Sequence, residues 1–234
     1  MIAMVMPRLS KDEISDMRRA ITSVALDLYR SEGIGAVTMR AIAARLQMSA
    51  MHSYRFFPSK EALVVAMQIA CLGELDVALR SAAGAGRDSR DRLTAMTMCF
   101  LQRARRYQDD YRLMFMSDQA RGPASSDRDL TRARIFDFAV GIVDNYLRDH
   151  NLDGDARTLA HLTWSGFHGL MTLEISGQLD FGRSFVDLIG PLIRNTLGIQ
   201  LAPRLHLEEL PNTLDQPSAG GNISATGAGE TIAI

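Results

Sequence analysis

One stretch decides the fold: residues 38–63, TMRAIAARLQMSAMHSYRFFPSKEAL. Thr38 is a favourable helix N-cap, and the spacing of the next apolar residues predicts one buried side, made by Ile42, Ala43 and Leu46. After a turn at 47–48, Ser49 would cap a second short helix, to about Phe56. Two short helices joined by a tight turn are the frame of a helix-turn-helix, whose second helix enters the DNA major groove.

Four side chains of this stretch could bind phosphate. Thr38 and Ser49 bring hydroxyls and free backbone N–H groups to helix N-termini, where phosphate binds favourably. Tyr54 and Lys60 add a phenol and an ammonium group after the second helix. These four residues are the predicted phosphate contacts.

Four others could contact base edges. The guanidinium of Arg40 can reach guanine O6 and N7. Ala50, Met51 and His52 occupy the first turn of the second helix, where Ala50 and Met51 offer apolar contact and His52 offers a hydrogen bond. The alternative is a plain helical hairpin that carries surface polar residues.

The flanks predict two longer helices. Ser10 and Glu13 form the S-x-x-E pattern of a capping box, and Gly33 would end that helix in a left-handed conformation. Its predicted core face contains Ile14, Met17, Ile21, Val24, Ala25 and Leu28. Residues 58–59, Pro-Ser, begin a helix that would leave the head and enter the body.

The run EGIGAVTMRAIAARLQMSAMHSYRFFPSKEALV resembles the DNA-binding head of TetR-family transcriptional regulators over about residues 12–67. The resemblance implies that Thr38, Tyr54 and Lys60 clamp phosphates, while Arg40 and residues 50–52 face bases. This sequence departs from the family pattern at four positions. Gln47 stands where the family usually has Gly, and Ser53 stands where it often has Leu. Met51 and His52 are less usual residues at their positions.

Charge and cysteine content are consistent with such a head on a separate body. Residues 1–60 carry nine Lys or Arg against five Asp or Glu, whereas the remainder has an acidic excess. A basic end favours contact with a polyanion at that end only.

Cys71 and Cys99 lie in apolar contexts without metal-ligand spacing, which predicts buried free thiols in a reducing compartment. No apolar run approaches the about 20 residues that span a bilayer, so we expect a cytoplasmic protein with no membrane contact.

Further amphipathic helices follow to residue 197. Those at 155–178 and 182–197 are so apolar that they require a partner surface, which predicts a homodimer through residues 155–197. Gly190-Pro191 would kink or break the last helix. A two-fold dimer would also match a palindromic DNA site.

The segment TWSGFHGLMTLEISGQL resembles, over a shorter match, the C-terminal domain of one TetR branch with a Trp-x-x-x-His-Gly pattern, here Trp164, His168 and Gly169. Trp164 and His168 could line a pocket. Alternatively, Trp164 fills the core, and His168 makes a packing hydrogen bond or lies at the dimer interface.

The body therefore has pocket candidates, each of which could equally be an ordinary core residue. They are Met96, Cys99, Phe100, Tyr111, Met114, Phe115, Phe136, Trp164, Phe167, His168 and Met171. Because they are mostly apolar, they predict a small apolar or aromatic effector. No phosphate-binding loop, nucleophile motif or paired metal-ligand pattern occurs, so we expect no catalytic residue, metal or cofactor.

These observations predict an all-α chain: a three-helix helix-turn-helix DNA-binding head (residues 10–57) and a larger helical-bundle ligand-binding and dimerisation domain (58–202). A loose arm (1–9) and a disordered tail (203–234) would flank them. The predicted function is a ligand-responsive regulator, most often a repressor in that family, that binds double-stranded DNA. The alternative is a helical small-molecule-binding protein or enzyme with a vestigial head.

Overall fold

The computed structural model describes residues 10–116, 126–180 and 182–197, and within them the all-α prediction is confirmed. The elements are α1 (Lys11–Glu32), α2 (Met39–Arg45), α3 (Ala50–Ser53), α4 (Lys60–Gly84), α5 (Ser89–Arg106), α6 (Gln108–Tyr111), a π-helical turn (Arg112–Met116), α7 (Ser126–Asp149), α8 (Ala156–Ile175) and α9 (Phe185–Leu197). The predicted arm at 1–9 and the predicted tail at 203–234 lie outside the described residues.

Helix starts in the head follow the predicted capping residues. Ser10 and Glu13 form the complete capping box of α1, with the Ser10 backbone N–H 2.7 Å from the Glu13 carboxylate. The side-chain oxygens of Thr38, Ser49 and Ser59 each accept a backbone N–H in the first turn of α2, α3 and α4, respectively. These bonds satisfy N–H groups that have no partner within the helix.

Three local predictions for the head need correction. The second short helix ends at Ser53 rather than near Phe56, and a turn connects it to Phe56. Gly33 has the expected positive φ of 80°, but its ψ of 178° is extended, not left-handed helical. Ile14 is 39% exposed because it lies in the first turns of α1, where the surrounding residues are exposed too.

Long-range contacts hold the three head helices to the start of α4. Arg18 donates a hydrogen bond to the Phe56 carbonyl and lies over the Phe57 ring, 4.2 Å from its centroid. Ser53, the residue that stands where Leu is frequent, is fully buried and donates to the Ala50 carbonyl at 2.7 Å. Its hydroxyl is therefore satisfied, as a buried polar group must be.

The body is built around α4, which packs against α1, α5 and α7, while α8 packs against α7 and α9. By length and composition alone α4 could cross a bilayer, contrary to the expectation that no apolar run was long enough. Its apolar length is explained by its place in the core, where Leu63, Met67 and Leu72 are fully buried. Core helices of globular proteins pass the same test, so this helix is weak evidence for a membrane.

The last helix is continuous through Pro191, from Phe185 to Leu197, so the proline does not break it. Proline lacks the N–H that would bond to the carbonyl four residues earlier, and such a loss is tolerated where that carbonyl can reach solvent. Both Pro191 and Asp187, one turn before it, are exposed. The buried face of α9 lies instead at Phe185, Ile189 and Ile193.

A polar junction joins the head to the body. The Arg30 guanidinium at the end of α1 donates two hydrogen bonds of 2.8 Å to the two carboxylate oxygens of Asp110 in α6. Next to it, the Tyr29 hydroxyl donates to the Asp109 carbonyl at 2.9 Å. The Asp110 carboxylate raises the pKa of Arg30, which therefore stays charged.

Candidate DNA-binding surface and internal cavity

The eight predicted DNA contacts lie between Thr38, the N-cap of α2, and Lys60, the first residue of α4. Arg40, Met51 and Tyr54 are exposed, Met51 by 78%. Ala50 and His52 are half-buried, and the His52 ring meets the edge of Phe56 with 5.3 Å between centroids. Arg40 and the first turn of α3 thus leave a guanidinium, a thioether and an imidazole available to a partner.

The hydroxyl groups of the two capping residues, Thr38 and Ser49, can each donate a hydrogen bond to an acceptor outside the helix. The Thr38 oxygen accepts from the Ala41 N–H at 3.1 Å, and the Ser49 oxygen accepts from the His52 N–H at 3.2 Å. A hydroxyl that accepts one hydrogen bond still carries its own O–H donor. Since both residues are exposed, each O–H can point to a phosphate oxygen.

Lys60 has an additional role inside the head that the sequence did not indicate. Its ammonium group donates to the Ile34 carbonyl at 3.0 Å, which ties the start of α4 to the connection between α1 and α2. An ammonium group has three donors, so two remain for a phosphate. The same side chain can therefore bind DNA and hold the head together.

The body has a partly open cavity of about 590 Å³ between α4, α5, α7 and α8. This volume is within the usual range for small-molecule sites. Its wall is mostly apolar: Leu72, Leu75, Leu79, Leu93, Met96, Thr97, Phe100, Phe115, Ala133, Ile135, Phe136, Ala139, Val143, Ala160, Thr163, Trp164, Phe167 and Leu197. Three of these leucines belong to α4, the helix that begins at the head.

The structure brings six of the eleven pocket candidates together in the cavity wall: Met96, Phe100, Phe115, Phe136, Trp164 and Phe167. The other five, Cys99, Tyr111, Met114, His168 and Met171, do not line it. Tyr111 and Met114 border a separate space of about 20 Å³, too small for more than a water molecule, and Met171 is fully buried. Residue type alone could not separate wall residues from core residues, because the side of the helix on which a residue lies determines whether it faces the cavity.

Tyr111 and His168 form a hydrogen-bonded pair behind the cavity wall, with 2.8 Å between the hydroxyl and Nδ1. The His168 ring stacks on Trp164 and meets Phe115, two residues of the wall. Burial raises the pKa of Tyr111 and lowers that of His168, and the nearby Arg132 charge lowers the latter further. Both groups are therefore neutral at pH 7, and the pair positions the two aromatic wall residues.

Polar residues form the cavity rim, and the sequence reading missed most of them. They are Asp129, Arg132 and Asp137 on α7 and Arg157 and His161 on α8. The Arg157 guanidinium lies 2.7 Å from the Asp137 carboxylate, and the His161 ring contacts Phe136 with 4.3 Å between centroids. The available signal was the three- and four-residue spacing that places Asp129, Arg132 and Phe136 on one face of α7.

Within residues 10–116, 126–180 and 182–197, no three His, Cys, Asp or Glu side chains are close enough to hold a metal ion. Cys71 is buried and Cys99 half-buried, and both are free thiols. Burial raises the pKa of Cys71 to about 12, so its thiol stays protonated at neutral pH.

Comparison with protein families identifies two matching models. A model described as bacterial regulatory proteins, tetR family, matches residues 21–67, and one described as tetracyclin repressor-like, C-terminal domain, matches residues 93–189. Together they account for more than half of the chain. The first contains all eight predicted DNA contacts, and the second contains most of the cavity wall.

Individual proteins agree with these models. The chain is 27% identical over 164 residues to the uncharacterised helix-turn-helix-type transcriptional regulator Rv0681 of Mycobacterium tuberculosis, which covers 70% of this chain and 72% of that protein. A solved regulatory protein, SCO4313, superposes with a TM-score of 0.65 and 23% identity over 83% of this chain and 100% of its own. A TetR/AcrR-family regulator from Thermobifida fusca gives a TM-score of 0.57 and 19% identity over 78% and 97%. The two structures establish a common fold.

Proposed function

This chain belongs to the TetR family of transcriptional regulators, and we propose that it is a repressor that binds a palindromic operator as a homodimer and responds to a small molecule. The observation that carries this proposal is one chain with an exposed helix-turn-helix at one end and a ligand-sized cavity at the other. The helix α4 begins at the first and lines the second. We propose no catalytic role, and we place the protein in the cytoplasm, with residues 10–57 as the DNA-binding head and 58–202 as the body.

In the proposed complex, the head divides its contacts by type. Thr38, Ser49, Tyr54 and Lys60 would bind phosphates and set the position of the head on the duplex. Arg40, Ala50, Met51 and His52 would contact base edges, with Arg40 as the guanine-reading residue. Support comes from the exposure of Thr38, Arg40, Ser49, Met51 and Tyr54. Arg40 also has no competing partner among the described residues.

The proposed dimer uses α8 and α9. One side of α8 exposes Leu162 by 53% and Leu173 by 36%, and between them lie the small residues Ser165 and Gly169. Exposed leucines that flank small residues suit close packing against a second helix. A two-fold pair of heads about 34–36 Å apart would match two half-sites one helical turn apart.

The proposed effector acts through α4. A compound in the cavity would contact Leu72, Leu75 and Leu79, which lie about three to five turns after the start of α4 on the same helix. An effector releases DNA only if it binds the non-DNA conformation more tightly than the DNA-binding one. The aromatic and aliphatic wall favours an apolar or aromatic compound.

The proposal is tested by substitutions of Arg40 in α2 and of Lys60 at the start of α4. Arg40→Ala should reduce affinity for a palindrome upstream of the protein's own gene by roughly 5- to 150-fold and relax its sequence preference, as loss of a bidentate base contact does. Lys60→Ala should weaken binding more evenly across sequences and reduce the salt dependence. Electrophoretic or fluorescence titration over a range of salt concentrations measures both.

Arg45→Ala is the matched control, because Arg45 is also exposed on α2 but pairs with Glu32 of α1 at 3.3 Å. It should leave operator affinity within about twofold of the wild type, in line with a surface ion pair. If the wild type shows no salt-dependent preference for any duplex over random DNA, the regulator proposal fails.

A further inference from the structure

The rim of the cavity has an unequal balance of charge. Its two carboxylates are already paired: Asp137 with Arg157 at 2.7 Å, and Asp129 with Arg128 at 3.2 Å. Arg157 is thereby neutralised by its own partner. The remaining rim cation is Arg132, which forms no hydrogen bond or ion pair within the described part of the chain.

Arg132 borders the cavity from α7, on a stretch of that helix where its side chain is exposed. Its charge acts on His168, whose ring contacts the wall residues Phe115 and Trp164. The wall residue Phe136 lies one turn further along the same helix, so the guanidinium stands at the border of the apolar lining. A free positive charge at the border of an apolar cavity favours a ligand that neutralises it.

We infer that the cavity binds an apolar compound with a single anionic group, most simply a carboxylate, and that Arg132 holds that group. This inference rests on the proposed function, because it names the chemical class of the effector. The carboxylate matches the planar fork of the guanidinium, which can donate two parallel hydrogen bonds. The apolar part would occupy the space between the leucines of α4 and the aromatic residues of α5 and α8.

A cationic ligand is disfavoured by the same arrangement. The aromatic wall could attract a cation, but the two rim carboxylates that would complete its site each have an arginine partner. A cation would also meet the unbalanced charge of Arg132. A neutral ligand would leave that charge without a counterion at the border of an apolar space.

Three decyl compounds test the inference, because they share one tail and differ in the head group: decanoate, decanol and decyltrimethylammonium. Binding to the full chain is measured by calorimetry and by the fluorescence of Trp164, the single tryptophan of the sequence and part of the wall. Decanoate should bind roughly tenfold more tightly than decanol, and the cation should bind most weakly. The preference for decanoate over decanol should decrease with added salt.

Substitutions then assign the preference to one residue. Arg132→Ala should lower decanoate affinity about tenfold, to that of decanol, and leave decanol affinity unchanged. Arg132→Lys should keep part of the preference, because it keeps the charge but not the fork. Arg134→Ala is the matched control: Arg134 is exposed on the same helix, donates to Thr131 and does not line the cavity.

Several outcomes would overturn the inference: equal binding of decanol or of the cation, full decanoate affinity in Arg132→Ala, or no decanoate binding at all. Its failure is distinguishable from failure of the proposed function. If the wild-type protein selects an operator but binds the three compounds equally, only the assignment of an anionic ligand to Arg132 is refuted. Wild type that binds decanoate through Arg132 but selects no DNA sequence refutes the regulator and leaves the anion site.

Discussion

Gln47 holds the turn between α2 and α3 in a backbone conformation that glycine favours, with φ at 53°. A side chain at positive φ costs about 1–2 kcal/mol, whereas glycine adopts this conformation freely. Gln47→Gly should therefore raise the free energy of unfolding by about 0.5–1 kcal/mol after the greater chain entropy of glycine in the unfolded state is subtracted. Chemical denaturation measures the change.

The opposite sign is expected at Gln102, an exposed glutamine inside α5. There the backbone is helical, so Gln102→Gly should lower stability by about 1 kcal/mol. Equal losses in both variants would show that the turn is not strained. This positive φ gives a physical reason for the glycine that the family pattern has at position 47, where this chain has glutamine.

Individual residues also show how far sequence reasoning reaches. The caps at Ser10, Thr38, Ser49 and Ser59 were predictable, because each bonds to a backbone group three residues away. Arg18, by contrast, donates a hydrogen bond to a backbone carbonyl 38 residues later in the chain. That contact depends on how the head helices pack, which no local pattern contains.

At the scale of elements, α6 is the short helix that joins the body to α1. Asp110 is buried and accepts two hydrogen bonds from Arg30, whose side chain is 38% exposed and also lies 3.6 Å from Glu74. Asp110→Asn removes the charge from a near-isosteric side chain and should cost about 1–2 kcal/mol of stability, less than for a fully buried pair because Arg30 reaches solvent. Thermal and urea unfolding give this value.

The neighbouring aspartate is the control. Asp109 pairs with Arg112 at 3.0 Å on the surface, and its backbone carbonyl, not its side chain, binds Tyr29. Asp109→Asn should therefore change stability by less than about 1 kcal/mol. A loss as large as that of Asp110→Asn would mean that the bidentate pair does not hold the junction.

Helices and cavity differ in how well the sequence predicts them. Periodicity and capping predicted the starts of the first four helices and the bounds of α8 and α9 to within a few residues, because these signals are local. The cavity is formed where four helices separated in sequence face one another, and its polar rim joins α7 to α8 across Asp137 and Arg157. Its candidates were chosen by residue type, so Tyr111 and His168 were included although they pair behind the wall.

For the whole molecule, the proposed dimer depends on glycines that have different surroundings. Gly166 already packs against Leu192 of α9, where an added Cβ would lie 2.5 Å from a leucine methyl carbon. Gly169 is exposed, and an added Cβ there would have no atom within 4 Å in the single chain. Of these two glycines, only Gly166 is needed for close packing within the single chain. Gly169 becomes important only if a second copy approaches the same side of α8.

Gly169→Ala therefore separates the single chain from the dimer. Alanine should stabilise α8 itself by up to about 1 kcal/mol, because glycine is the poorer helix former. At a closely packed dimer interface, the new methyl group should instead weaken association roughly tenfold, as overpacking does.

Gly141→Ala on α7 is the matched control, since Gly141 is also exposed with open space around it and lies outside the proposed interface. It should stabilise the chain without changing the dissociation constant. Sedimentation equilibrium across a dilution series measures that constant, and identical values for the two variants would remove this side of α8 from the dimer interface.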